Sequence, residues 1–180
     1  MRFDDDDDER FLRHLNNDDE QGEEWKLKPR KDSATRLIKI ARQIMKTTEA
    51  IIETLPEEED KHMSHYREWM MENSLKIIPK ISGAMATGDY ILMTENATII
   101  KLAARELLTQ TSGLKMFGYK HTDYLNALRE EIEEFRKEFV VWVRTFEKED
   151  PIYPDGWGLY YTEEDLIRWN AMNPDDQRTE

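Results

Sequence analysis

Cysteine is absent from the 180 residues, which excludes a disulfide framework, a thiol nucleophile and a thiolate zinc site. There is also no uninterrupted apolar run of the roughly 18 residues that a membrane-spanning helix requires, so no membrane span is expected. The chain opens Met1-Arg2-Phe3-Asp4 and continues into a run of acid. No secretory signal looks like this, and a cytoplasmic location is expected. Glycine is scarce, with 7 residues, and forms neither a phosphate-cradling loop nor a Gly-x-Ser-x-Gly elbow. Basic charge is in short supply: 26 Lys and Arg stand against 39 Asp and Glu, for a net charge of −13 at pH 7. Such a surface repels phosphate backbones and anionic membranes.

The acid is not spread evenly. Residues 1–30 carry 11 acidic and 6 basic side chains and residues 151–180 carry 7 and 2, whereas the middle carries 21 and 18. Residues 1–30, with acid at residues 4–9 and at Asp18, Asp19 and Glu20, hold few large apolar groups. They bury too little surface to offset ordering entropy and read as a flexible acidic arm. Within the arm, Phe11, Leu12 and Leu15 fit one amphipathic turn, and Trp25 stands among charges.

Residues 31–149 carry helical periodicity throughout, with no strand-like alternation. The first helix is expected from Asp32 or Ser33 until Pro56, with Leu37, Ala41, Ile44, Thr48, Ile51 and Leu55 inward. The second follows the acids Glu57, Glu58, Glu59 and Asp60, which suit a helix N-terminus. It turns Met63, Tyr66, Met70, Ile77, Ile81 and Ala84 inward and carries Pro79, where a kink is expected. A third, capped by Asp89, faces Leu92, Ile99, Ala103, Leu107 and Leu114 inward and ends at Gly118. The fourth, capped by Thr122 or Asp123, has the cleanest heptad: Leu125, Leu128, Ile132, Phe135, Phe139, Trp142 and Phe146. Its outer face is charged by Glu130, Glu131, Glu134, Arg136 and Lys137. Four such helices with short connectors predict an all-α, up-down-up-down antiparallel four-helix bundle.

Residues 150–180 form an acidic extension in which Tyr153, Trp157, Tyr160, Tyr161 and Trp169 are expected to dock on the bundle, on another copy or on a partner. Thr162 and Asp165 have the spacing of a capping box for a short helix reaching about Met172.

No catalytic or metal site emerges, and no cofactor is expected. Glu59 and His62 have the Glu-x-x-His spacing of di-metal bundles, but such a site needs a second copy of the motif and none exists. His65 lies one turn on. Carboxylate pairs such as Glu68 with Glu72, or Glu130 with Glu134, sit beside basic residues as surface pairs do. The first helix is locally basic, and Arg36, Lys39, Arg42 and Lys46 are candidate contacts for nucleic-acid phosphates or for the chain's own acidic tails.

Two stretches, Ile78-Pro79-Lys80-Ile81-Ser82-Gly83 and Ala104-Arg105-Glu106-Leu107-Leu108-Thr109-Gln110, together with the helix lengths, resemble a bacterial four-helix-bundle family. That family is encoded in intervening sequences of ribosomal RNA genes and includes the accessory variability protein of diversity-generating retroelements. The likeness spans about residues 33–148. It implies a ring-forming homo-oligomer, commonly five-fold, and in the retroelement member a nucleic-acid-binding accessory role. The function expected is a non-catalytic homo-oligomeric scaffold or adaptor working by protein–protein interaction, with nucleic-acid binding as the alternative.

Overall fold

The computed structural model describes residues 24–55, 61–148, 152 and 154–174, with the backbone alone for residues 24–26 and 61–64. The expectations placed on residues 1–23, on Glu57, Glu58, Glu59 and Asp60, on Tyr153, and on the side chains of Trp25, His62 and Met63 lie outside the described residues. Within them the chain is all-helical: α1 Glu24–Glu53, α2 Lys61–Met85, α3 Tyr90–Met116, α4 Thr122–Val143 and α5 Glu163–Met172. Among the described residues no helix is long and apolar enough to cross a membrane. Helix α1 packs on α2 and α4, α2 on α3, and α3 on α4, and the four long helices share one apolar core.

In α1 the expected stripe Leu37, Ala41, Ile44, Thr48, Ile51 and Leu55 is buried throughout. The helix begins at Glu24, eight residues ahead of the expected cap, so residues 24–30 form its first turns. Pro29 lies in the second turn, where its missing N–H deprives only the Trp25 carbonyl of an intrahelical donor. Ser33 therefore does no capping. It is fully buried, and its hydroxyl donates to Glu138 Oε1 at 2.7 Å.

In α2, Met70, Ile77, Ile81 and Ala84 enter the core and Tyr66 is half-buried. Pro79 sits on the exposed side beside Leu75, so the backbone group it frees lies toward water. Tyr66 explains a glycine on the facing helix: a Cβ at Gly113 would come within 2.0 Å of the Tyr66 hydroxyl.

Helix α3 is capped as expected, with Asp89 accepting the Leu92 N–H at 2.9 Å. Its inner stripe runs Met93, Ala97, Ile100, Ala104, Leu107, Thr111 and Leu114, an unbroken 4-3-4-3-4-3 spacing. Leu92 and Ile99, expected inside, are exposed at 48% and 36%. Two apolar stripes run along this helix, and only one of them faces the core. Gly118, at φ 82°, turns the chain out of α3, and the Gly118 and Tyr119 amides donate to the Lys115 and Leu114 carbonyls.

Helix α4 is preceded by His121 at the cap position, without a side-chain cap bond, so neither Thr122 nor Asp123 serves there. Leu125, Leu128, Ile132, Phe135 and Trp142 are buried as the heptad requires. Phe146 lies beyond the helix end and meets Trp142 edge-on at 4.8 Å. Burial of each such side chain contributes about 1.5–3 kcal/mol. The Thr162–Asp165 capping box of α5 is formed in both directions, yet no residue of that helix is buried.

Candidate functional site

Three surfaces hold the chemistry-bearing side chains. At the α1–α4 seam, Glu138 accepts from Ser33 at 2.7 Å and from Arg36 Nε at 3.0 Å, with Arg36 Nη2 at 2.9 Å. Partial burial pushes the Glu138 carboxyl up, but the hydrogen bonds from Arg36 and Ser33 outweigh it and hold the group below its ordinary range. Farther along the seam, Thr47 donates to Glu131 Oε1 at 2.8 Å, so Glu131 is not part of the outer face. Arg30, buried, donates to the Thr145 carbonyl at 3.3 Å. Of the four basic residues singled out on α1, Arg36 is held in this network and Arg42 is half-buried, while Lys39 and Lys46 are exposed. Of that basic face, α4 engages Arg36 through Glu138.

The α3–α4 seam is open. A groove of about 270 Å³ lies between the two helices, with Ala104, Leu108, Ile132 and Phe135 along its floor. Its edges are cationic. Arg129 is anchored on the Leu108 carbonyl, Thr111 and Ser112 through Nη1 at 2.8–3.2 Å. Arg136 forks onto both oxygens of Glu133 at 2.7 Å, and these hydrogen bonds hold the Glu133 carboxyl below its ordinary range. Lys101 and Arg105 also line the groove, and among the described residues neither has an acidic partner.

On the other side of α3, the outer stripe Leu92, Ile99 and Leu102 (49% exposed) meets solvent. Where α2 begins and α3 ends, Trp69 stacks on His65 with ring centres 5.7 Å apart, and Tyr66 meets Phe117 edge-on. Trp69 and Phe117 are about half exposed. Trp69 and Tyr66 border a second groove, of about 460 Å³, which the buried amides Asn73 and Gln110 also line. Of the C-terminal aromatics, Trp157 is 83% exposed, and Tyr160, Tyr161 and Trp169 are half-buried.

Among the described residues no three histidine, aspartate or glutamate side chains gather as a metal would require. The arrangement offers apolar, aromatic and cationic contact surface, which suits binding. Sequence reasoning missed Trp69 and Phe117, as well as the meeting of Lys101 with Arg136. Counting both apolar stripes of α3 would have revealed the outer one. No protein-family model matches the chain, and neither curated proteins nor solved structures give a match.

Proposed function

We propose that the chain is a non-catalytic homo-oligomeric scaffold or adaptor of the cytoplasm, built as an up-down-up-down antiparallel four-helix bundle and acting through protein–protein contact. Pairings that run in opposite senses along neighbouring helices support the topology: Arg30 with Thr145 and Thr47 with Glu131, Gly83 with Asn96 and Gly113 with Tyr66. The observation that carries the function is the second apolar stripe of α3. A helix that is apolar on both sides belongs in an interior, and among the described residues Leu92, Ile99 and Leu102 lack one. A second copy supplies it. The aromatic pair Trp69 and Phe117 adds the residue types that anchor protein interfaces. A closed ring, five-fold in the family whose motifs the chain resembles, is the assembly we favour.

Light scattering of the wild type against Ile99→Glu/Leu102→Glu tests this reading. An assembly that dissociates in the variant is expected, and a wild type that is monomeric at every concentration overturns it. Nucleic-acid binding through α1 is the less favoured reading, because Arg36 is already engaged by Glu138. It would return if filter binding gave salt-sensitive retention that Lys39→Glu/Lys46→Glu abolishes.

A further inference from the structure

We infer that the α3–α4 groove receives the C-terminal extension of a second copy of this chain. The inference rests on the homo-oligomeric reading above but concerns a different surface, and it specifies which parts of two copies meet.

The groove needs a ligand that is apolar in the middle and acidic at the edge. Its floor is Ala104, Leu108, Ile132 and Phe135, left open because Ala104 is too short to fill the space between the helices. Its rim carries Lys101 and Arg105 without acidic partners among the described residues, beside the Arg136–Glu133 pair and the anchored Arg129. In a chain of net charge −13, this concentration of cations is a local reversal of sign.

The extension has the complementary composition. Trp157 and Leu159 are largely exposed, and α5 buries none of its side chains. Along α5, Glu163, Leu166, Ile167 and Asn170 follow the i, i+3, i+4, i+7 spacing of one helix face. That face presents Ile167, 63% exposed, next to an acid. Asp165 is committed to its cap with Thr162, which leaves Glu163 and Glu164 to meet Lys101 and Arg105. Trp157 supplies the large aromatic anchor.

Within its own chain the extension is held away from the groove. Ile152 is buried, and Asp165 lies within electrostatic reach of Lys148, past the end of α4 and beyond Phe139, where the groove ends. A neighbour's groove is therefore the one to be filled. The contact is head-to-tail, with different patches on the two copies, so repetition closes a ring or extends a chain.

The test uses the full chain and a labelled peptide of residues 152–174, followed by fluorescence anisotropy at low and moderate salt. Saturable binding that weakens with salt is expected. Lys101→Glu/Arg105→Glu should weaken it at least about tenfold, and a peptide carrying Glu163→Lys/Glu164→Lys should bind this variant better than it binds the wild type. The peptide carrying Trp157→Ala should lose most of its affinity. Circular dichroism of the variant chain establishes that it is folded. No binding, or binding indifferent to the groove charges, overturns the inference. An assembly whose mass is unchanged in Lys101→Glu/Arg105→Glu overturns it too, while leaving the scaffold reading intact. A chain that stays monomeric while the peptide binds places the extension in its own groove and overturns the assignment to a second copy.

Discussion

Helix α4 takes part in two seams that differ in kind. Toward α1 it is tied by cross-helix polar bonds, with Glu138 held by Ser33 and Arg36, Thr47 on Glu131, and Arg30 on the Thr145 carbonyl. Toward α3 its packing leaves a groove. There Arg136 spends its charge on Glu133, a neighbour on its own helix, and Lys101 and Arg105 face outward from α3. The same helix is thus locked on one side and available on the other. The difference lies in what each partner offers: α1 brings serine, threonine and arginine to meet half-buried acid, whereas α3 brings alanine and cations without acidic partners among the described residues.

Trp142 is fully buried and packs against Phe139 and Phe146. Trp142→Ala should cost about 3–5 kcal/mol in urea unfolding, the largest effect expected, because the cavity would undermine the core that both seams share. Glu138→Ala should cost about 1–3 kcal/mol by leaving buried Ser33 without its acceptor, whereas Glu133→Ala should leave the unfolding midpoint where it is. Equal losses from the two would erase the distinction between the seams.

The depressed Glu138 carboxyl makes the locked seam sensitive to acid. Its contribution is fully present above the unfolded carboxylate value of 4.5 and is lost as pH falls through the lower folded value. Glu138→Gln should therefore flatten the acid limb of a stability profile measured across that range. An unchanged limb would assign the acid sensitivity to other groups.

Enlarging alanine separates the seams by volume. Ala41 is fully buried in α1, and Ala41→Leu should cost about 1–3 kcal/mol through overpacking. Ala104→Leu, which grows into the groove, should be neutral or stabilising by up to about 1 kcal/mol in thermal unfolding. Smallest of all, Leu102→Gln should change the stability of the folded chain by no more than about 0.5 kcal/mol. Any larger consequence should appear in the mass of the assembly.

The inner faces of the long helices were legible in the sequence wherever a helix has a single apolar stripe. The α1 positions Leu37 to Leu55 and the α4 positions Leu125 to Trp142 were readable for that reason, as were the Asp89 cap and the Thr162–Asp165 box, which depend on neighbours three residues apart. In α3 the reading mixed two phases and placed Leu92 and Ile99 inside, because apolar residues occupy both faces and local periodicity cannot say which face meets the core. The start of α1 was missed because Asp32 and Ser33 are residue types that cap helices and the composition of residues 1–30 reads as an arm, whereas the helix runs through Pro29, which is tolerated near its beginning.

Composition and seven-residue spacing by themselves determined that this chain is helical, lacks thiol chemistry and carries apolar stripes to bury along its long helices, since these properties depend on residues a few positions apart. Tertiary packing alone decided that Arg36 would be drawn into the α1–α4 seam, that Lys101, Arg105 and Arg136 would share a groove, and that the outer stripe of α3 would be left in water. Those outcomes join residues tens of positions apart in the chain, and which of them meet is set by the helix that packs alongside.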